Sequence, residues 1–110
     1  MGATSGFGGV LTLRPGERVI EHYHPYSEEF LHVIEGEAEL LVDGEVFALG
    51  PGDSAFVPIG ARHRMSNTGG TVVRAAFHLS PLAPEPALGH VDLEPPIVAE
   101  APMPKVGGAA

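Results

Sequence analysis

The sequence predicts an all-β domain, and three features of the chain support this fold class. Outside the C-terminal tail, the Gly and Pro residues separate short apolar runs, as turn residues separate strands. Asp43-Gly44 lies between two such runs, and this pair is the strongest short-range signal for a β-hairpin. No stretch shows sustained helical periodicity. Roughly eight short strands joined by close turns indicate a sandwich or a barrel, the jelly roll among them.

The apolar runs place the strands in chain order. The small, Gly-rich segment 1–9 is expected to be a loosely held first strand or a dimer arm. The strands that follow are VLTL (10–13), RVIEHYH (18–24), FLHVI (30–34), AELLV (38–42), EVFAL (45–49), DSAFVP (53–58), HRMSN (63–67) and TVVRAAFHL (71–79). We assign 1–80 to one barrel domain. The Pro- and Ala-rich segment 81–110 is expected to be an extended arm that packs on the barrel or on a partner subunit.

Composition restricts the classes of partner and compartment. The 110 residues suffice for one domain with its own core, and without Cys this core forms without disulfides. The sequence has no signal-peptide pattern and no apolar run long enough to cross a bilayer, so we expect a cytoplasmic protein. The formal net charge of -8 repels nucleic acid and anionic membrane surfaces, and neither is expected as a partner.

Two histidines and a glutamate lie close together between Gly16 and Gly36. His22 and His24 are two residues apart in an extended run, so both imidazoles project from one face of a strand. Glu29 begins the next apolar run, and an antiparallel hairpin return would bring its carboxylate back to the imidazoles. Neutral imidazoles with one carboxylate suit zinc, iron(II), nickel or manganese.

A third imidazole comes from a separate part of the chain, where His63 follows a tight Pro58-x-Gly60 turn. These residues together resemble the two signature stretches of the cupins. The matching positions are Gly16, His22, His24, Glu29 and Gly36 in the first stretch, and Gly52, Pro58, Gly60, His63 and Asn67 in the second. The resemblance implies a single-domain cupin with a jelly-roll β-barrel. It also implies that one divalent metal ion is held near an open end of the barrel by His22, His24, Glu29 and His63.

The neighbours of these residues receive less specific predictions. Glu28 also fits the spacing from His24, but Glu29 keeps the six-residue gap to Gly36 and is preferred, so Glu28 should point outward. Alternation along the strand directs His32 outward or into an interface. His90 lies in the Pro-rich tail, where solvent or a local hydrogen bond is expected. The motif glycines Gly16, Gly36, Gly52 and Gly60 should allow positive φ, and Asn67 should hydrogen-bond its own turn.

His78 is the most difficult histidine to place. Regular alternation exposes it together with Arg74, whereas a strand that crosses the barrel would place His78 in the lumen as a candidate general base. Arg62 and Arg64 flank His63 and should alternate away from the metal as rim charges. The expected apolar lining of the lumen is Leu31, Val33, Leu40, Val42, Phe56 and Phe77.

A finer resemblance concerns the reaction. EHYHPYSEEFL (21–31), FHLSPLAP (77–84) and LGHVD (88–92) resemble the small single-domain cupin polyketide cyclases of type II aromatic polyketide biosynthesis. The resemblance implies aldol-type closure of a poly-β-ketone with loss of water, and Glu29 and His78 are the candidate catalytic residues. Zinc is the first expectation for the metal, because ring closure needs a Lewis acid and no redox step.

Two other functions remain open from the sequence. An iron-dependent oxygenase of the same fold would use the same four ligands. A non-catalytic binding module would hold the metal in a closed coordination sphere.

The expected partners are a second copy of the chain and a small-molecule polyketide, free or tethered to a carrier protein. An acidic carrier would have to dock on the local patch of Arg14, Arg18, Arg62 and Arg64 against the overall negative charge.

Overall fold

The computed structural model describes residues 4–94, which form nine β-strands and one short 3-10 helix. The strands are β1 (Phe7–Leu13), β2 (His22–Tyr23), β3 (Glu28–Glu35), β4 (Ala38–Val42), β5 (Glu45–Leu49), β6 (Ser54–Val57), β7 (His63–Ser66), β8 (Val73–Ser80) and β9 (Val91–Asp92). The 3-10 helix spans Pro86–Leu88. The all-β prediction is therefore confirmed. Across the described residues, no helix has the length and apolar character needed to cross a bilayer.

The strands form two antiparallel sheets, ordered β1-β8-β3-β6 and β5-β4-β7-β2-β9. Alternate side chains of each strand point to the interior, as in β3, where Glu29, Leu31 and Val33 are buried. The buried apolar core comprises Leu11, Leu13, Leu31, Val33, Ala38, Leu40, Leu49, Val57, Ala61, Met65, Val73, Ala75, Phe77 and Leu79. Side chains from both sheets share this core, as in the predicted jelly roll.

β4 and β5 form the predicted hairpin. Asp43 and Gly44 have φ values of 45° and 84°, and positive φ at both central residues is the geometry of a type I′ turn. This turn matches the twist of the strands it joins, and their pairing runs without a break from Val42–Glu45 to Ala38–Leu49.

The run that was predicted as one strand over residues 18–24 is mostly irregular. Only His22–Tyr23 is strand, and Arg18 makes an isolated bridge to Ser66. The predicted hairpin between the first two histidines and Glu29 is wrong, because β2 lies in the five-stranded sheet and β3 in the four-stranded sheet. The segment that contains Pro25 crosses between the sheets, and Pro lacks the N–H needed to continue a ladder.

The described part of the C-terminal segment, residues 81–94, packs on the barrel. β9 pairs with β2, aligning His22 with Asp92 and Tyr23 with Val91. The five-stranded sheet therefore continues past residue 80, where the sequence predicted the barrel to end. The rest of the predicted extension, residues 95–110, lies outside the described residues, as do residues 1–3 of the predicted N-terminal arm.

The motif glycines take the predicted backbone conformation. Gly16, Gly36, Gly52 and Gly60 have φ values of 85°, 82°, 89° and 79°. Gly36 has a second constraint, because a Cβ at this position would lie 2.3 Å from the carbonyl oxygen of Val72. No other residue type fits there without a backbone shift.

Asn67 closes the second motif. Its side-chain oxygen accepts a hydrogen bond from the backbone N–H of Gly69 at 3.1 Å, as predicted for a residue that bonds its own turn. Its amide nitrogen also donates to the carbonyls of Leu13 at 3.0 Å and Thr71 at 2.7 Å. The buried Asn67 side chain therefore ties the end of β1 to the β7–β8 turn.

Candidate metal centre

Three imidazoles meet at the β2 and β7 strands. His22 lies directly opposite His63 in the β2–β7 pairing, and their ring centroids are 4.2 Å apart. His24 follows β2 by one residue, and its ring centroid lies 4.9 Å from that of His22. The side chains of His22, His24 and His63 are all buried. The predicted two-residue spacing thus places the first two imidazoles on the same side of the chain.

Glu29 approaches these rings from β3 of the opposite sheet. Its Oε1 lies 2.9 Å from Nε2 of His63 and 3.3 Å from Nε2 of His24. One ligand atom from each of His22, His24, Glu29 and His63 lies within 4.8 Å of the others. This buried cluster, three imidazoles and one carboxylate, could hold one metal ion.

The other nitrogen of each ring is held by the backbone. Nδ1 of His22 lies 2.7 Å from the carbonyl oxygen of Ile20, and Nδ1 of His63 lies 2.9 Å from that of Ala61. Nδ1 of His24 lies 2.8 Å from the carbonyl oxygen of Gly89. A carbonyl can only accept, so each Nδ1 carries the proton and each Nε2 is free to act as a ligand, the usual arrangement around a protein metal ion.

The donor set also needs a proton or a metal ion at its centre. With the proton on Nδ1, a neutral His63 presents a lone pair at Nε2, and this lone pair faces the Glu29 carboxylate at 2.9 Å. The same holds for Nε2 of His24. Two acceptors in contact repel each other unless a proton or a metal ion lies between them. The residues therefore fit a divalent ion in charge, ligand type and orientation.

The electrostatics of the metal-free cluster agree with this description. Burial lowers the pKa of His22 to about 3, and electrostatic repulsion between its protonated form and the His63 ring adds to the effect. Burial alone would raise the pKa of Glu29. In the metal-free cluster a proton takes the place of the ion in the contacts with His24 and His63, and the resulting hydrogen bonds outweigh burial and lower the pKa to about 2. Glu29 is therefore ionised and His22 neutral at neutral pH, as ligands must be.

An apolar pocket opens onto the cluster. Besides the four candidate ligands and His90, its lining consists of Leu11, Val19, Leu31, Met65, Phe77 and Leu79. Leu31 and Phe77 were predicted to line the lumen. Val33 and Leu40 are buried in the core, outside this lining. Leu11, Val19, Met65 and Leu79 were missed, because the sequence does not tell which end of the barrel each strand crosses.

Two of the predicted lumen residues lie elsewhere. Phe56 is 70% exposed, because it pairs with Phe30 on the outer face of β6 and β3, so its assignment to the lumen is wrong. Val42 packs against the core from the last position of β4. Together with Leu40 and Phe47, both residues line a second cavity near the β5 and β6 strands, which contains none of the candidate ligands.

His78 lies outside the pocket, on the exposed face that regular alternation predicts, so its alternative position in the lumen as a general base is wrong. β8 alternates regularly, so that Phe77 and Leu79 point inward and His78 is exposed. The ring of His78 packs over Gly6, where an added Cβ would come within 2.7 Å of its Nε2. From this face, His78 cannot reach a substrate bound beside the candidate ligands.

The other charged and aromatic predictions follow strand alternation. Glu28 is exposed, and His32 lies on the outer face of β3, where its Nδ1 is 2.7 Å from the Ser54 hydroxyl. Arg62 and Arg64 both point away from the cluster. Arg64 also has a partner, because its Nη1 lies 3.4 Å from Oε2 of Glu94.

His90 is a polar pocket residue that the sequence did not place at the site. The local hydrogen bond expected in the tail is present, between His90 and Asp92. The same ring also stacks on His22 and lines the pocket. The only local signal was the LGHVD pattern, in which a glycine precedes alternating polar and apolar residues. The pairing of β9 with β2, which brings this pattern to the site, is a long-range contact.

Comparisons with known proteins agree with the fold. Residues 9–79 match the Cupin domain family. Over 100 residues the chain is 55% identical to the polyketide synthase CurC of Streptomyces cyaneus, covering 91% of this chain and 65% of that protein. Over 109 residues it is 53% identical to the tetracenomycin polyketide synthase protein TcmJ of Streptomyces glaucescens, covering 98% and 72%. The chain thus spans about two thirds of the length of these relatives.

A solved structure has the same architecture. A double-stranded β-helix domain protein of Klebsiella pneumoniae superposes with a TM-score of 0.74 at 26% identity, covering 86% of this chain and 80% of that one. The family match spans most of the two sheets, from β1 to β8. The sequence motifs, the two facing sheets and the family match agree, and the chain belongs to the cupin family.

Proposed function

We propose that this cupin is a metal-dependent polyketide cyclase, which catalyses aldol-type ring closure and aromatisation of a poly-β-ketone in aromatic polyketide biosynthesis. One observation carries the proposal: the buried cluster of His22, His24, Glu29 and His63 opens onto an otherwise mainly apolar pocket. The identity of more than half of the aligned residues with two polyketide synthase proteins supports the choice of substrate class.

In this proposal, His22, His24, Glu29 and His63 hold one divalent ion, with zinc as the first choice and iron, nickel or manganese as the others. The bound ion supplies Lewis acidity that makes the protons next to a substrate carbonyl easier to remove. The protein keeps the three rings in one orientation through their Nδ1 contacts to backbone carbonyls. The carboxylate of Glu29 offsets part of the positive charge of the ion.

The apolar wall has its own role in ring closure. Leu31, Met65, Phe77 and Leu79 line the space beside the cluster with apolar side chains. A flexible poly-β-ketone that is confined there has fewer conformations, so one methylene is held against one carbonyl. The wall therefore favours one ring over the alternatives.

Metal analysis and reconstitution test the proposed function. The protein is purified without added metal, analysed for metal content, stripped with a chelator and reloaded with zinc or with iron. Ring closure of a synthetic poly-β-ketone is measured above the protein-free rate, together with oxygen consumption. We expect about one ion per chain, loss of ring closure on stripping and its return with zinc, without oxygen uptake.

Matched histidine variants serve as controls. His63→Ala should abolish metal binding and ring closure, whereas His32→Ala on the outer face should retain both. Oxygen uptake that requires iron would instead identify an oxygenase. Ring closure that survives complete stripping would contradict the metal-dependent mechanism, and a metal that binds without any turnover would favour a binding module.

We also propose that two copies of the chain associate through the outer face of the four-stranded sheet. Val10 and Phe56 are 53% and 70% exposed on this face, and the Phe56 ring packs 5.1 Å from that of Phe30. Burial of these side chains would favour association. Sedimentation should give a dimer for the wild-type protein and a monomer for Phe56→Ser. A wild-type monomer at micromolar concentration would contradict the proposal.

Docking of a carrier protein is a separate proposal. Of the four arginines in the predicted patch, Arg18 and Arg64 lie 3.7 Å and 3.4 Å from the carboxylate of Glu94. This pairing offsets part of their charge, so Arg14 and Arg62 are the remaining exposed cations for an acidic carrier. Arg62→Glu should lower carrier-dependent turnover and leave turnover of a free substrate unchanged. If Arg62→Glu turned over the carrier-bound substrate as fast as the wild-type protein does, docking at this patch would be rejected.

A further inference from the structure

His90 is a polar lining residue of the pocket that does not belong to the four candidate ligands. Among the described residues that line it, His90 is the only polar one besides the four candidate ligands. All remaining lining side chains are apolar. A substrate oxygen that does not reach the metal would therefore meet either hydrocarbon or the ring of His90, and burying an unpaired hydroxyl in hydrocarbon is costly.

The ring is held in a defined orientation. It stacks on His22 with an interplanar angle of 9° and a centroid distance of 4.3 Å, and its edge meets His24 at 5.3 Å. Nε2 of His90 contacts Oδ1 of Asp92. A carboxylate accepts hydrogen bonds, so it keeps the proton on Nε2 and leaves Nδ1 as the acceptor that a ligand can use.

The backbone around His90 is also fixed. The carbonyl oxygen of Gly89 accepts from Nδ1 of His24, and Asp92 pairs with His22 in the β2–β9 ladder. The N–H of Leu93 donates to Glu21 at 2.8 Å. The position of His90 beside the candidate ligands is therefore set by contacts on both sides of it in the chain.

We propose that His90, oriented by Asp92, contacts the substrate and accepts a hydrogen bond from an enol or phenol hydroxyl. The inference rests on the proposed function and deepens it. Poly-β-ketones are partly enolised and their aromatised products are phenols, so both present an O–H group. His90 would hold that group while the apolar wall holds the carbon chain, which fixes the register of the substrate in the pocket.

A pair of ligands that differ only at the hydroxyl tests this contact. The probes are 1-naphthol and 1-methoxynaphthalene, whose dissociation constants are measured with the cobalt(II)-loaded protein. Wild type should prefer the naphthol by about fivefold to tenfold, the effect of one hydrogen bond. His90→Phe retains a flat ring and should lose this preference, while its cobalt content and visible spectrum stay as in wild type.

The remaining outcomes separate the hypotheses. Equal affinity for the two probes in wild type, or an unchanged preference in His90→Phe, would overturn the contact. A changed cobalt spectrum or a lower cobalt content in His90→Phe would also overturn it, because His90 would then support the metal site. If His90→Phe does not fold, ¹⁵N spectra of the zinc-loaded wild type decide, since Nδ1 of His90 should shift with the naphthol only.

Failure of the proposed function gives a different result. In that case, the same wild-type preparation binds no metal or closes no ring, whatever the variants do with the probes. A metal-loaded, active wild type without a naphthol preference would reject only the role of His90.

Discussion

The side chains of His63 and Glu29 meet across the interior of the barrel, with His63 Nε2 2.9 Å from Glu29 Oε1. His63 belongs to β7 of the five-stranded sheet, and Glu29 belongs to β3 of the four-stranded sheet. The candidate metal centre therefore joins the two sheets. An ion bound there would stabilise the fold as well as the site, because it binds the folded protein in preference to the unfolded chain.

Replacement of the carboxylate tests this link. Glu29→Gln removes the one negative ligand, and we expect it to lower zinc affinity by more than about 100-fold, beyond the effect of losing an outer contact. Zinc should then no longer raise the thermal midpoint. Competition with a chromophoric chelator measures the affinity. The matched control is Glu28→Gln, which is exposed on the same strand and should bind zinc as wild type does.

The metal-free protein should lose stability as the pH falls. The pKa of His22 is about 3 in the folded state against 6.5 ordinarily, so between these values the unfolded chain binds a proton that the folded chain does not. Stability then falls by about 1.4 kcal/mol for each pH unit in the middle of this window. Glu29, with its pKa lowered from 4.5 to about 2, adds a further loss below pH 4.5.

Urea unfolding in the presence of a chelator, at intervals from pH 7 to pH 4, measures this dependence. His22→Asn removes the proton uptake by His22 on unfolding, so the stability of this variant should change less than that of wild type between pH 6.5 and pH 4.5. If wild type gained stability over the same interval, the lowered pKa of His22 would be contradicted.

Glu94 anchors the C-terminal segment and should affect zinc affinity although it is not a candidate ligand. Glu94 accepts a hydrogen bond from the N–H of Glu21 at 2.8 Å and pairs with Arg18 and Arg64. Glu94→Ala should loosen the segment that supplies the Gly89 carbonyl to His24, and should lower zinc affinity by about tenfold.

Hydrogen exchange tests whether Glu94 acts on zinc affinity by holding the C-terminal segment in place. The amide of Leu93, which donates to Glu21, should exchange faster in Glu94→Ala than in wild type. Glu85→Ala, an exposed glutamate in the same segment, is the control and should change neither quantity. Faster exchange with unchanged zinc affinity would show that the segment does not position His24.

Asn67 should be important for stability and not for metal binding directly. Asn67→Ala removes three hydrogen bonds of a buried side chain and leaves the carbonyl of Leu13 without this donor, so we expect a loss of about 3 kcal/mol. Equilibrium urea unfolding of the metal-free protein measures the loss. Thr68→Ala, at the exposed neighbouring position, should change stability by less than about 0.5 kcal/mol.

The sequence predicted most of the strands and the composition of the candidate site because both depend on local patterns. Alternation of apolar residues placed Glu28 and His32 outside, and the Asp43-Gly44 pair located the hairpin. The same alternation predicted an exposed His78. The structure shows this exposed position and not the alternative one in the lumen. Predictions failed where they required knowledge of strand partners, as for Phe56 and for the hairpin between β2 and β3.

The fold class, the turns that require positive φ and the residue types that could hold a metal are all predictable from the chain alone, since they follow from spacing along it. The folded structure was needed to see that Glu29 reaches the imidazoles from the opposite sheet and that β9 brings His90 to the pocket. Both contacts join residues distant in sequence, and the burial of a shared core, not a local preference, brings them together.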